Sequence, residues 1–191
     1  EIPYDEHFKI NNWDSPDALD LNLFKKELDH IKSTGEVSTK LIHNNNVDDI
    51  SKFKLERSFL EKLKQKYAKY IDSGDLKIVL VDGFMIYHDP ELSSKFDLKI
   101  LVRAPYSTLK KRRAARSGYQ TLDSFWVDPP FYFDEFVYKS YAKAHSFLFN
   151  GSDVEGTIKD DTDICVLDND EGTDIKESLL WIYDRITNAN F

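Results

Sequence analysis

One cysteine, six prolines, seven glycines and no long apolar run mark this sequence, and each scarcity excludes something. Cys165 alone cannot close an internal disulfide, so a disulfide-stapled scaffold is ruled out and a reducing compartment is favoured. No apolar stretch reaches the roughly 18 residues of a membrane-spanning helix, and no secretory signal opens the chain. Cytosol is the expected compartment. No Gly-x-Ser-x-Gly elbow is present to support acyl transfer. The five histidines, His7, His30, His43, His88 and His145, have no metal-ligand spacing among themselves or with Cys165. The one Gly-x-x-x-x-Gly, Gly151 to Gly156, runs into Thr157-Ile158 where Lys and Ser or Thr are required, and it follows a helix rather than a strand.

What is present suits one globular domain spanning residues 1–191. Hydrophobic residues make up 41% and aromatics 14%, enough for a packed interior. Lys and Arg total 26 against 34 Asp and Glu, and the net charge of −8 argues against a nucleic-acid surface. Neither nucleic acid nor a membrane is an expected partner. Glu1 leads straight into Ile2-Pro3-Tyr4-Asp5 with no initiating strand or helix, so the sequence is expected to begin inside a longer, N-terminally truncated protein.

Periodicity predicts a helix from Ser15 to Ile31, with Ser15 as N-cap, Pro16 in its first turn and Gly35 as its stop. Lys40 to Lys52 is polar and aperiodic, the pattern of a surface loop, and a second helix follows from Phe53 to Tyr70. Lys77 to Val81 is a continuous apolar run, the mark of a strand buried on both faces of a parallel sheet. Phe96 to Val102 reads as a second strand, Pro105 to Arg116 as a helix, Cys165 to Leu167 as a third strand and Ile175 to Ile186 as a closing helix. Strands alternating with helices indicate an α/β fold, a parallel sheet with flanking helices, whose ligands sit beyond the carboxyl ends of the strands.

Three sets of residues could carry chemistry. Asp82, followed by Gly83, puts a carboxylate at the end of a strand, where it could hold a phosphate-bound Mg²⁺; a turn-forming Asp-Gly pair is the plainer reading. Lys110 to Arg116 carries five cations in seven residues. On a helix Arg112 and Arg116 are four apart and Arg113 and Arg116 three apart, a spacing that lets guanidinium groups converge on one anion and neutralise a transferring phosphoryl group. A solvated helix face, a favourable helix C-terminus and a nuclear-import patch remain open for the same residues. Asn12-Trp13-Asp14 precedes the first helix, where an indole could stack on a base and a carboxylate accept bonds from ribose hydroxyls, or where both could simply pack and offset the helix dipole. Tyr119 or Trp126 could supply an opposing ring, whereas Phe125, Phe131, Tyr132 and Phe133 read as core or loop packing.

Taken together, Asn12-Trp13-Asp14-Ser15-Pro16-Asp17-Ala18-Leu19-Asp20, Val81-Asp82-Gly83-Phe84, Lys110 to Gln120 and Asp128-Pro129-Pro130-Phe131-Tyr132-Phe133-Asp134 resemble the nicotinamide riboside kinases. The first motif is also similar to one of the uridine kinases, a related branch of the P-loop nucleoside kinases. Leu41 to Asp49 and Tyr119 to Pro130 resemble the fungal riboside kinases more closely. The resemblance implies a P-loop nucleoside-kinase-like fold that phosphorylates nicotinamide riboside to the mononucleotide in NAD salvage, with ATP and Mg²⁺. It also implies site roles: Asp14 on the ribose, Trp13 and Tyr119 on the two faces of the pyridine ring, and Asp82 at the metal. Arg112, Arg113 and Arg116 would lie in a phosphate-covering lid, at about residues 105–134, with Arg113 also reaching the ribose. The family's Gly-rich loop ending Gly-Lys-Thr or Gly-Lys-Ser, and its Asp-Asp-Phe general base, are not among these 191 residues. A non-catalytic riboside-binding or regulatory homologue, and a kinase for uridine or another nucleoside, are the alternatives.

Overall fold

The computed structural model describes residues 2–38, 53–71, 77–120 and 125–189, without the side chains of 69–71 and 119–120. The polar stretch Lys40 to Lys52 thus lies outside the described residues.

A short hairpin opens the chain, β1 (Tyr4–Asp5) against β2 (Ile10–Asn11). Its turn is closed by Asp5, whose carboxylate accepts from the backbone N–H of both His7 and Phe8 at 2.9 Å. Phe8 then stacks on Phe131 at 4.6 Å, which fastens the hairpin to the distant aromatic segment. A single 3₁₀ turn, Pro16–Ala18, leads into α1 (Leu21–Thr34). Helix α1 therefore starts later than periodicity suggested. Its cap is Asp20, which accepts from Leu23 N–H at 2.9 Å, because Pro16 initiates the tighter turn and the chain is extended at Leu19 before the helix proper. Gly35 does end it, at φ 72°, a conformation that costs glycine little.

Helix α2 (Arg57–Ile71) lies against α6 (Ile175–Asn188), with Tyr67 stacked on Tyr183 at 4.8 Å and its hydroxyl bonded to Asp184. Asp89 caps α3 (Pro90–Ser93), and Leu92 within it is fully buried. Strand β3 (Lys99–Arg103) pairs in parallel with β6 (Ile164–Asp168), Lys99 opposite Ile164 and Arg103 opposite Asp168. This parallel pair with flanking helices is the expected α/β arrangement. Leu28, Ile86, Tyr87, Leu92, Leu101, Leu148, Phe149, Val154 and Ile164 form the core that β3 and β6 run through. Helix α4 (Tyr106–Ala114) follows β3 directly. A second hairpin, β4 (Tyr119–Gln120) against β5 (Phe125–Trp126), comes next. After it the chain winds a wide π turn, Phe133–Tyr138, into α5 (Lys139–His145).

Lys77 to Val81 departs from expectation: it forms no ladder among the described residues, and Leu80 is 84% exposed, with Ile78 and Val79 also open. An apolar run becomes a strand only with a neighbour to pair with. The free edge of β3 shows the same lack. Arg103 O accepts from Asn169 N–H beyond β6, so alternation turns Ile100 and Val102 the other way. There the Tyr87 hydroxyl both accepts from Ile100 N–H and donates to Ile100 O, each at 3.0 Å, in place of a strand. A cleft of about 570 Å³ separates this edge from residues 77–81, walled by Leu28 and Ile31 of α1 and by Ile182 and Ile186 of α6.

Two outcomes follow from this packing. Leu80→Ser should change stability by less than about 0.5 kcal/mol, as for other exposed sites, yet reduce aggregation and binding of a hydrophobic dye; unchanged dye binding would show that this run is not the sticky surface. His145 is buried, and burial holds its imidazole below the ordinary value against the opposing pull of the Tyr141 carbonyl 3.0 Å away. At pH above its unfolded value of about 6.5 the ring is neutral in both states and adds nothing. Below that the unfolded chain takes up a proton that the native one resists, so stability falls as pH drops. His145→Phe should flatten the denaturation midpoint between about pH 6.5 and 5 relative to the parent; an unaltered slope would refute the assignment.

Candidate functional site

The loop before α1 is built around Asn12. Its backbone N–H donates to Pro3 O at 2.7 Å, its side-chain amide donates to Ser140 Oγ at 3.2 Å, and its side-chain oxygen accepts from Asp14 N–H at 3.2 Å. Ser15, buried, donates its hydroxyl back to Asn12 O. The fully buried Tyr132 accepts from Trp13 N–H through its phenol oxygen at 3.0 Å. These bonds fix the backbone of Trp13 and Asp14 while the Trp13 indole stays 45% exposed, a flat apolar face with room for a ring.

Arg113, near the end of α4, reaches this loop. It donates to Asp14 with both terminal nitrogens, Nη1 to Oδ1 at 3.0 Å and Nη2 to Oδ2 at 3.1 Å. Its other side faces Asp128, to which Nε donates, with Nη2 to Oδ1 at 3.2 Å. Trp126 Nε1 donates to the same Asp128 oxygen at 2.7 Å. The guanidinium also lies over the Tyr132 ring, 5.7 Å from its centroid. Burial on its own would make the Arg113 cation easier to neutralise, but the bonds to Asp128 and then Asp14 outweigh it and raise its pKa. For Asp128 burial works upward, and the bonds from Arg113 and Trp126 bring the pKa below the ordinary carboxylate value. Burial also pushes the Tyr132 phenol up, so it remains protonated.

The other predicted residues are placed differently. Helix α4 stops at Ala114, so Arg116 lies beyond it and the shared helical face proposed for Arg112, Arg113 and Arg116 does not exist. Arg112 donates to Asn169 O at 2.8 Å, away from Asp14. The Arg116 backbone N–H donates to Arg113 O at 3.1 Å, while its side chain makes no hydrogen bond among the described residues and its charge bears on Asp128. Arg113, Arg116, Lys110, Asp128 and Phe133 line a cavity of about 220 Å³, in which Lys110 pairs with Asp134 and Arg113 with Asp14 and Asp128, leaving Arg116 as the lining cation without an ion pair among the described residues. Asp82 is exposed and has no bonded partner among the described residues. The Tyr119 ring lies outside the described residues. Trp126 stands edge-on to Tyr132 at 5.5 Å and is tied to Asp128, so its nitrogen is already committed. No group of three or more potential metal ligands occurs among the described residues. No helix there is long and apolar enough to cross a membrane.

Sequence reasoning singled out Trp13, Asp14 and Arg113 but overlooked Asp128 and the Tyr132 hydroxyl. Asp128 precedes two prolines in the segment that carries the family resemblance, and nothing local marks it as a partner of Arg113. Its signal was the surplus of cations on the helix fifteen residues earlier, which need counter-charges in the fold.

The chain is 56% identical over 189 residues to the nicotinamide riboside kinase of Saccharomyces cerevisiae, covering 97% of this chain and 78% of that protein. It is 56% identical over 158 residues to the enzyme of the same name from Eremothecium gossypii, covering 83% and 64%. Against that of Schizosaccharomyces pombe it is 33% identical over 180 residues, 94% of this chain and 76% of the relative. A uridine kinase of Borrelia hermsii is 30% identical over 113 residues, 59% of this chain and 47% of that protein. No family model matches the chain, and no solved structure matches it.

Proposed function

The chain belongs to the nicotinamide riboside kinase family, and from that premise we propose that it serves the ATP-dependent phosphorylation of nicotinamide riboside, its 5′-oxygen taking the terminal phosphoryl group. The product is the mononucleotide, a precursor of NAD. The observation that carries this reading is the pairing of Asp14 with Arg113 beside the exposed face of Trp13. A carboxylate accepts from two ribose hydroxyls, and the adjacent guanidinium donates to their oxygens. Trp13 stacks on the nicotinamide ring, whose positive charge adds a cation–π attraction that neutral uracil lacks. Tyr119 is assigned the opposite face of the ring.

Around the phosphates, Arg112 and Arg116 neutralise charge that spreads over the transferring group. Asp82 offers an exposed carboxylate without a bonded partner among the described residues, which fits Mg²⁺, an ion held by one or two carboxylates together with phosphate oxygens and water. Bound there, Mg²⁺ would screen the phosphate oxygens of ATP. The 191 residues contain no Gly-rich loop followed by Lys and Ser or Thr, so the chain's own contribution is the riboside pocket and the arginines above it.

Two measurements test this. Asp14→Ala should weaken nicotinamide riboside by the value of one or two charge-assisted bonds, each about 1.5–3 kcal/mol, while leaving ATP affinity nearly unchanged. Equal losses for both ligands would remove the argument from Asp14, and equal affinity of the parent for riboside and uridine would remove the argument from Trp13. The polypeptide Glu1–Phe191 on its own should bind riboside but turn over ATP negligibly, because lid arginines hold phosphates without fixing an in-line geometry. Turnover close to that of a full-length relative would refute that account of the phosphate cradle.

A further inference from the structure

A ribose diol arriving at Asp14 meets a carboxylate whose two oxygens each already accept one bond from Arg113, at 3.0 and 3.1 Å, so the hydroxyls must share or displace those bonds. Either way the hydroxyls draw on the carboxylate's acceptor capacity, and the hold of Asp14 on the guanidinium weakens as they bind. An arginine with only one carboxylate in a partly buried site would resist that weakening, since stranding its charge is unfavourable. Arg113 is not in that position. Asp128 takes its Nε and Nη2 in a second forked grip, and the Trp126 indole N–H holds the carboxylate in place at 2.7 Å. The geometry points to Asp128 as a positioning residue: it keeps Arg113 neutralised and in place while Asp14 takes on the hydroxyls, and so sets how readily the site accepts the 2′,3′-diol.

This inference rests on the reading of Asp14 as the ribose-binding carboxylate. It adds that diol selectivity is controlled from a residue that does not touch the ribose. Removing the Asp128 charge leaves Arg113 with Asp14 alone, and the two then pair more tightly against any incoming hydroxyl. Because the Trp126 bond only orients Asp128, losing it should act in the same direction and more weakly.

The test is calorimetric titration of the protein with nicotinamide riboside and with its 2′,3′-dideoxy analogue, which keeps the ring but lacks the diol. Asp128→Asn should weaken the riboside about tenfold, or ~1.4 kcal/mol, and the dideoxy analogue less than about twofold. Trp126→Phe should give about a threefold loss confined to the riboside, and Asp128→Glu should recover part of what Asn loses. Equal weakening of both ligands would mean that Asp128 merely supports the fold, and unchanged affinities would mean that it does nothing; either overturns the proposal. If the Asn variant fails to fold, Trp126→Phe decides in the same terms. A parent protein indifferent to the diol would overturn the reading of Asp14 together with this one, an outcome separate from a diol preference that survives Asp128→Asn.

Discussion

The guanidinium of Arg113 between the carboxylates of Asp14 and Asp128 is the constraint around which the site is organised. Three segments far apart in sequence meet there: the loop before α1, the last turn of α4 and the stretch after β5. Two carboxylates brought this close would repel each other without a cation between them, and a half-buried cation would be unfavourable without them. The planar fork of arginine suits both at once, which the single point charge of lysine could not. Tyr132 lies beneath the group, giving its ring to the guanidinium and its oxygen to Trp13 N–H, so one buried side chain sets the height of both the cation and the stacking loop.

The alternation of apolar runs with helical periods was enough to read the fold class, because β3, β6, α4 and α6 each carry their own local signal. Where the sequence misled, the cause was non-local. Lys77 to Val81 has the composition of a buried strand, but hydrogen-bonded pairing belongs to two segments rather than one, and no strand lies beside it among the described residues. The late start of α1 is a contest between caps: Ser15 and Asp20 both suit the role, and the 3₁₀ turn that Pro16 initiates leaves Asp20 to cap the longer helix.

The site was legible to the extent that its residues combined an unusual type with an unusual place. Trp13 and Asp14 side by side before a helix, and a cationic cluster in an acidic chain, both stand out from composition. Tyr132 does not. In an aromatic run it reads as core, which its complete burial bears out, but no pattern reports that its hydroxyl would find the Trp13 backbone 119 residues away. Arg113 and Arg116 line one cavity, but Arg112 is parted from them for a simpler reason. Helical spacing applies only inside a helix, and α4 ends before Arg116, leaving Arg112 and Arg113 to point toward different partners.

That divergence separates the cations by task. Arg113 is locked by two carboxylates, so little side-chain freedom is left to lose when a ligand of fixed shape arrives, the condition for selecting a rigid diol. The side chains of Arg116 and Asp82 have no bonded partner among the described residues, and that of Arg112 has one backbone carbonyl at an exposed position. Charges left this free can follow a group that moves, as a phosphoryl group must on its way from one oxygen to another. On the roles proposed for these residues, preorganisation is concentrated on the riboside, while the charges assigned to the phosphates stay adaptable until something fixes the phosphates themselves. Rigid recognition at one end and mobile neutralisation at the other is a workable division for a kinase only if the phosphate end is held by backbone N–H groups. An array of N–H donors fixes position, which long cationic side chains on solvent-exposed stems cannot do alone.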